Sequence, residues 1–158
     1  MKTSATLVRF QIRPLDGAYA DRIRTTLLDD FGNRLKVQTG VAAPCRLCLR
    51  ITQPDEPVIV FAHRPFPTTA PYAESGPVFI HATSCEQYTD VEQFPQAFRS
   101  RCLTMRGYNR EGTIETAELS TPGDPEASLA RLFAVTRVRF VHVRNPAWGC
   151  YDFQVDRL

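Results

Sequence analysis

The chain has 158 residues, of which 43% are hydrophobic and 23% charged, a composition typical of a folded globular protein. We therefore expect one domain over residues 1–158 and exclude collagen-like, disordered and coiled-coil classes. The formal net charge of +2 argues against a dedicated nucleic-acid binder. The sequence has no apolar run near the roughly 20 residues of a membrane span and no signal-peptide pattern, so we expect a cytoplasmic protein without a membrane partner.

The first third of the chain predicts strands around one helix. Alternating apolar residues predict a strand over residues 7–12, and helical spacing predicts a helix over residues 19–31, ended by Gly32-Asn33. Alternation also predicts a strand over residues 45–51, followed by a strand over residues 58–63. Because the connection between these two strands is short and polar, we expect them to form an antiparallel hairpin.

Residues 64–77 contain four prolines and are predicted to form a rigid loop of the kind that often carries function. The remaining chain predicts a strand over 78–82, a helix over 91–102, a hairpin of strands 103–108 and 113–119, a helix from Asp124 to Ala134, and strands over 137–144 and 150–155. About seven strands and three helices, joined mostly by hairpins, indicate an α+β fold with a mostly antiparallel sheet. Mixed pairing remains open at this stage.

Five cysteines, an odd number, predict reduced thiols and no disulfide framework. Cys45 and Cys48 have the C-x-x-C spacing of redox and zinc sites. The predicted strand places these two thiols on opposite faces, where they cannot easily share a metal ion or a disulfide. His63 and His81 are interpreted as structural residues. We therefore expect no metal site and no cofactor.

The most chemically suggestive segment runs from His142 to Cys150. A hairpin would bring His142 near Cys150, and a cysteine beside a histidine can be held as a thiolate nucleophile, with Asn145 orienting the pair. The same residues also have a structural interpretation, because cysteine is often buried and Asn145-Pro146 is a common turn. His142, Asn145 and Cys150 are therefore candidate catalytic residues.

A second candidate site joins Arg46 to the proline-rich loop. Arginine grips anions through two hydrogen bonds, Tyr72 offers an aromatic wall or a hydroxyl, and Ser75-Gly76 permits close approach of the backbone. Each residue also has a structural interpretation, in which Arg46 pairs with an acid such as Glu74 or Asp152 and Tyr72 covers the core.

Three separated motifs carry a family resemblance. Pro44-Cys45-Arg46, Pro71-Tyr72-x-x-Ser75-Gly76-Pro77-x-Phe79, and His142-Val-x-Asn145 with Gly149-Cys150-Tyr151 resemble the bacterial family called domain of unknown function 1203. The resemblance covers nearly the whole chain and implies a single-domain architecture. It implies no substrate, cofactor or catalytic residue.

These observations predict a small-molecule or anion pocket formed by the Cys45-Arg46 strand, the loop of residues 71–77 and the hairpin of residues 142–150. One alternative is a non-enzymatic protein interaction module, which would expose an apolar patch containing Phe66 or Trp148. A cysteine-dependent enzyme is the other alternative. The sequence makes no prediction of the oligomeric state.

Overall fold

Two antiparallel sheets carry the fold, which we describe from a computed structural model covering residues 8–158. The larger sheet has the strand order β1-β8-β7-β5-β6 and the smaller sheet the order β2-β3-β4. The strands are β1 (Phe10–Arg13), β2 (Val37–Gln38), β3 (Val58–His63), β4 (Gly76–His81), β5 (Leu103–Tyr108), β6 (Ile114–Ser120), β7 (Phe140–Arg144) and β8 (Tyr151–Arg157). The α+β class and the mostly antiparallel pairing are confirmed, in one domain with two sheets.

Three helices accompany the sheets: α1 (Gly17–Thr26), α2 (Gln96–Arg99) and α3 (Pro125–Ala134). Helices α1 and α3 begin where aspartate side chains accept hydrogen bonds from backbone N–H groups of their first turn, Asp16 from Tyr19 and Asp124 from Ala127. The predicted end of α1 at residue 31 is wrong. The helix ends at Thr26 because Leu27 adopts a left-handed φ of 47° and its N–H still bonds to the Ile23 carbonyl.

Each sheet has its own apolar core. The larger sheet packs against α2 and α3, and its core includes Met105, Val141, Phe153 and Leu129. The smaller sheet packs against α1, with a core formed by Ala20, Ile23, Cys45, Leu47, Cys48, Ile59, Phe61, Val78 and Ile80. The second core is small and contains two thiols, so apolar burial alone provides limited stability there.

The predicted strand over residues 45–51 is wrong. Residues 46–48 form a turn, closed by a hydrogen bond of 2.9 Å from the Leu49 N–H to the Cys45 carbonyl. Leu49 has a φ of 56°, in the left-handed region that leucine rarely adopts. The predicted hairpin with residues 58–63 is therefore also wrong, and β3 pairs instead with β4 across the proline-rich loop.

This turn, which we call the cysteine turn (residues 45–49), changes the relation between the two thiols. In a strand Cys45 and Cys48 would point to opposite faces, whereas in the turn both belong to the core of the smaller sheet. Within residues 8–158, no helix combines the length and apolar character needed to cross a bilayer.

Candidate functional site

A cavity of about 260 Å³ lies between the start of β4 and the turn before β8. One wall contains Glu74, Ser75 and Gly76, and the opposite wall contains Gly149, Cys150 and Tyr151. The single tryptophan, Trp148, stands at its edge and is 84% exposed. This volume fits a small metabolite and lies just below the size of most drug-like pockets.

Two arginines from neighbouring strands also line the cavity. Thr104 of β5 lies opposite Arg144 of β7, so Arg106 and Arg144 are diagonal neighbours on one face of the larger sheet. The Glu74 carboxylate contacts both: its Oε1 forms an ion pair with the Arg106 Nη1 and lies 3.4 Å from the Arg144 Nη2. The cavity therefore brings two guanidinium groups to one carboxylate.

The Arg144 guanidinium is only 5% exposed and is incompletely hydrogen-bonded. Its Nη1 donates to the Gly149 carbonyl at 3.0 Å. Its Nε and Nη2 have no hydrogen-bond partner among the described residues, since the contact with Glu74 lacks hydrogen-bond geometry. Buried N–H groups of a charged side chain are costly to leave unpaired, so these two nitrogens favour an additional acceptor.

The structure brings together only part of the predicted pocket. Ser75, Gly76 and Cys150 line the cavity. Tyr72 is 44% exposed and does not line it, and Asn145 forms the adjoining turn, where its Oδ1 accepts hydrogen bonds from the N–H groups of Ala147 and Trp148. Cys45 belongs to the core of the smaller sheet.

Arg46 is buried behind the cavity wall. Its Nε donates to the Tyr151 carbonyl at 2.7 Å, and its Nη2 lies 3.3 Å from the Asp152 Oδ1. Burial raises the pKa of Asp152 to about 6, although the Arg46 guanidinium acts in the opposite direction. Arg46 therefore has a resident partner, which matches the structural interpretation offered for it.

His142 and Cys150 are not joined by a hydrogen bond in the described residues. The His142 Nε2 lies 3.1 Å from the Gln154 Oε1, while the Cys150 Sγ donates to the Trp148 carbonyl at 3.8 Å. The imidazole of His142 is fully buried within an aromatic cage whose members are Phe66, Tyr108, Phe140 and Tyr151. Burial lowers the pKa of His142 to about 3, so the ring is neutral at physiological pH.

A larger open cleft of about 720 Å³ adjoins the cavity, and His63, Pro65 and Tyr151 line both spaces. Burial lowers the pKa of His63 to about 4 and raises the pKa of Tyr19, whose ring centroid lies 5.6 Å from that of His63, to about 12. These side chains therefore offer neutral polar groups next to the charged cavity. Sequence reasoning did not identify this cleft, because its walls come from segments far apart in the chain.

A cluster of sulfur and nitrogen atoms lies on the opposite side of the cysteine turn. One donor atom each from Cys45, Cys48, His81 and Cys85 lies within 4.8 Å of the others. The hydrogen bond with Cys48 contributes most to lowering the pKa of Cys45 below its usual range. A metal ion is the group that such a set could hold. The sequence signal for it was the His81-x-x-x-Cys85 spacing, which was not combined with Cys45-x-x-Cys48.

The fold and these two sites define an α+β domain with an arginine-lined cavity and a thiol–imidazole cluster. Residues 42–157 match the sequence profile of the family described as "Protein of unknown function (DUF1203)". The chain therefore belongs to this family, as its three motifs indicated. No curated protein and no solved structure matches the chain.

Proposed function

We propose that this protein binds a small oxyanion, a carboxylate or a phosphate, in the cavity between the two sheets. The observation that carries the proposal is the buried Arg144 guanidinium, whose Nε and Nη2 lack hydrogen-bond partners beside a cavity. Carboxylates and phosphates match the fork of N–H groups that arginine presents. The odd number of cysteines, all five with free thiols, favours a reducing bacterial cytoplasm as the location, and this location is part of the proposal.

In the proposal, Glu74 occupies the place of the ligand in the unbound protein. Its carboxylate contacts Arg106 and Arg144 yet remains half exposed, and it stands on a proline-rich loop at the cavity wall. The ion pair with Arg106 is exposed and contributes little stability, and the contact with Arg144 lacks hydrogen-bond geometry, so an external anion can displace this carboxylate at small cost. Ser75 and Cys150 then provide a hydroxyl and a thiol beside the bound anion.

The fluorescence of Trp148 provides the assay, because it is the only tryptophan and stands at the cavity edge. At constant ionic strength, we expect saturable changes on titration with inorganic phosphate or with succinate, and the stronger response identifies the preferred oxyanion. A bound anion should also slow the alkylation of Cys150 by iodoacetamide. The exposed thiol of Cys102 is the internal control for this reaction.

Three variants test the assignment. Arg106→Gln should weaken binding at least tenfold, because it removes a charge-assisted hydrogen bond of about 1.5–3 kcal/mol. Glu74→Gln should tighten binding severalfold, because the competing negative charge is removed. Arg110→Gln, at an exposed position outside the cavity, should leave binding unchanged. Equal affinities in all four proteins, or no saturable response to either anion, would refute the proposal.

The interaction-module alternative receives weaker support. Of the two residues expected in an exposed apolar patch, Phe66 is only 8% exposed and packs on Tyr108 and His142. Trp148 is exposed, but one aromatic side chain is smaller than a typical interface patch. Light scattering after size-exclusion chromatography of wild type and Trp148→Ala measures whether this residue mediates self-association.

A further inference from the structure

The thiol–imidazole cluster beside the cysteine turn has the dimensions of a tetrahedral metal site. With metal–sulfur bonds of about 2.3 Å and metal–nitrogen bonds of about 2.0–2.1 Å, tetrahedral angles place two sulfurs ~3.8 Å apart and a sulfur and a nitrogen ~3.6 Å apart. The Cys45 and Cys85 sulfurs are 3.8 Å apart, and the Cys48 Sγ lies 3.6 Å from the His81 Nδ1. These two separations match those of ligands bound to one ion, and all four donor atoms lie within 4.8 Å of one another.

The backbone holds the four donors in place from three segments. Cys45 and Cys48 both belong to the cysteine turn, whose Arg46 N–H donates to the Phe79 carbonyl of β4 at 2.9 Å. His81 is the last residue of β4. Cys85 follows on the next loop, which is tied back to the turn by a bond of 2.9 Å from the Tyr88 N–H to the Leu47 carbonyl. The donors are therefore positioned by hydrogen bonds that do not involve the side chains of the cluster.

The side chains and backbone groups around the cluster form hydrogen bonds of the kind that orient metal ligands and offset their charge. The His81 Nε2, on the far side of the ring from the donor nitrogen, lies 3.2 Å from the Glu56 Oε2, and such a carboxylate fixes the ring orientation of a ligating histidine. The His81 backbone N–H donates to the Cys45 sulfur at 3.4 Å, and the Arg24 Nη2 donates to the Cys85 sulfur at 3.4 Å. Three thiolates and a divalent ion would carry a net charge of −1, which the Arg24 guanidinium offsets.

The conformation of Leu49 gives a further reason to assign a ligand-binding role to this turn. A leucine in the left-handed region costs roughly 1–2 kcal/mol, and such strain is retained where the surroundings hold the chain in one geometry. The strained residue directly follows Cys48 and allows both sulfurs of the C-x-x-C segment to approach the same point. The core of the smaller sheet is also small, and a metal ion is a common way to stabilise such a core.

We propose that Cys45, Cys48, His81 and Cys85 bind one Zn²⁺ ion in a closed site that stabilises the smaller sheet. A ligand set of three cysteine sulfurs and one histidine nitrogen is characteristic of zinc, and four protein ligands leave no open position for a substrate. On binding, the three thiols give up their protons to solvent while the imidazole binds as the neutral ring. The site is independent of the oxyanion cavity and goes beyond the function proposed for it.

The first test is metal analysis of the untagged wild-type chain, purified under reducing conditions without chelators. Mass spectrometry of the metals should find about one zinc per chain. Replacement of the zinc by Co²⁺ should give the visible absorption of a tetrahedral cobalt site with thiolate charge-transfer bands. Removal of the ion with a strong chelator should lower the melting temperature, since the ion binds only the folded arrangement.

Variants then assign the ligands. Cys48→Ser should lose zinc and the cobalt–thiolate bands, whereas Cys102→Ser, a matched change at an exposed cysteine outside the cluster, should retain both. Because a ligand variant can fail to fold, Glu56→Gln provides a second measurement. This change at the surface should weaken zinc affinity by about 10–100-fold in competition with a chromophoric chelator, while the ion-saturated protein remains folded.

Three results would overturn the proposal. The first is a reduced wild-type protein that contains no zinc and takes up neither Zn²⁺ nor Co²⁺. A second is stoichiometric zinc with unchanged affinity in Cys48→Ser. The third is a disulfide between Cys45 and Cys85, found by mass mapping of protein purified without reductant, together with failure of the reduced protein to bind metal; the cluster would then be a redox pair.

Discussion

The neutral, buried His142 predicts a specific dependence of stability on pH. In the folded protein burial lowers the pKa of His142 to about 3, whereas an unfolded histidine titrates near 6.5. At pH 5 the unfolded chain therefore binds a proton that the folded chain excludes. By linkage, the free energy of unfolding falls as the pH drops from about 6.5 toward the folded pKa.

The magnitude follows from the separation between the pH and the unfolded pKa. At pH 5 this separation is about 1.5 units, and each unit corresponds to about 1.4 kcal/mol, so His142 lowers the free energy of unfolding by about 2 kcal/mol relative to pH 7.5. Burial of the ring supports this size, because the imidazole is fully buried and its Nδ1 has no hydrogen-bond partner among the described residues. A charge placed there would be desolvated and unpaired.

Urea unfolding of wild type and His142→Gln at pH 7.5 and 5.0 measures this contribution. The variant loses packing at both pH values, but its stability should fall by about 2 kcal/mol less than that of wild type between them. Phe140→Leu is the matched control, since it loosens the same aromatic cage and keeps the histidine, so its pH dependence should equal that of wild type. Equal losses in wild type and His142→Gln would show that the ring titrates normally in the folded state.

Three further substitutions test the packing and the buried polar contacts of the fold, each by urea or thermal unfolding. Arg46→Ala should destabilise the protein by about 3–5 kcal/mol, because it leaves the buried Asp152 carboxylate without its counter-charge, and a loss below 1 kcal/mol would contradict the ion pair. Gly107→Ala should cost about 1–3 kcal/mol, since the added Cβ would lie 3.0 Å from a methyl group of Val138; an unchanged midpoint would show that this side chain yields freely. Asp29→Ala should cost about 2–3 kcal/mol, because its carboxylate accepts three backbone N–H bonds and one side-chain bond, and a near-neutral effect would mean that water replaces them.

Two parts of the second half of the chain could be predicted from sequence because they depend on local contacts, whereas the helix predicted over residues 91–102 is wrong in its bounds and spans only Gln96–Arg99. The predicted hairpin of residues 103–108 and 113–119 is confirmed as β5 and β6. Its turn is fixed by Asn109, whose Oδ1 accepts hydrogen bonds from the N–H groups of Glu111 and Thr113. The start of α3 is confirmed for the same reason, since Asp124 and Pro125 act on the first turn of their own helix.

The cysteine turn could not be recognised from its hydrophobic pattern. Cys45, Leu47 and Leu49 alternate with Arg46, Cys48 and Arg50, which predicts a strand with one apolar face, and all three are buried. They are buried for another reason, because the turn lies between the two sheets and contacts apolar groups from both cores. An alternating hydrophobic pattern indicates which residues are buried. It does not distinguish an extended strand from a turn that is buried on both sides.

The composition of the two sites depends on pairings between distant parts of the chain. His81 is 33 residues beyond Cys48, and Arg144 reaches Glu74 only because β7 lies beside β5 and the proline-rich loop folds over both. An interpretation based on residue types alone therefore assigns the anion to Arg46 and gives His81 a structural role. The order of the strands in the sheet decides which guanidinium groups reach the cavity, and this order could not be predicted from the local sequence pattern.

The cysteine turn also explains how Arg46 influences a cavity that it does not line. On one side of the turn the thiols of Cys45 and Cys48 face His81, and on the other side the Arg46 guanidinium bonds to the Tyr151 carbonyl at 2.7 Å. Tyr151 forms part of the cavity wall, directly after Cys150. Arg46 therefore positions this wall through the backbone of β8, and its buried charge is satisfied by groups of the protein itself. The free guanidinium donors belong to Arg144, so the affinity for an anion should depend on Arg106 and Arg144, while Arg46 determines the shape of the space that they line.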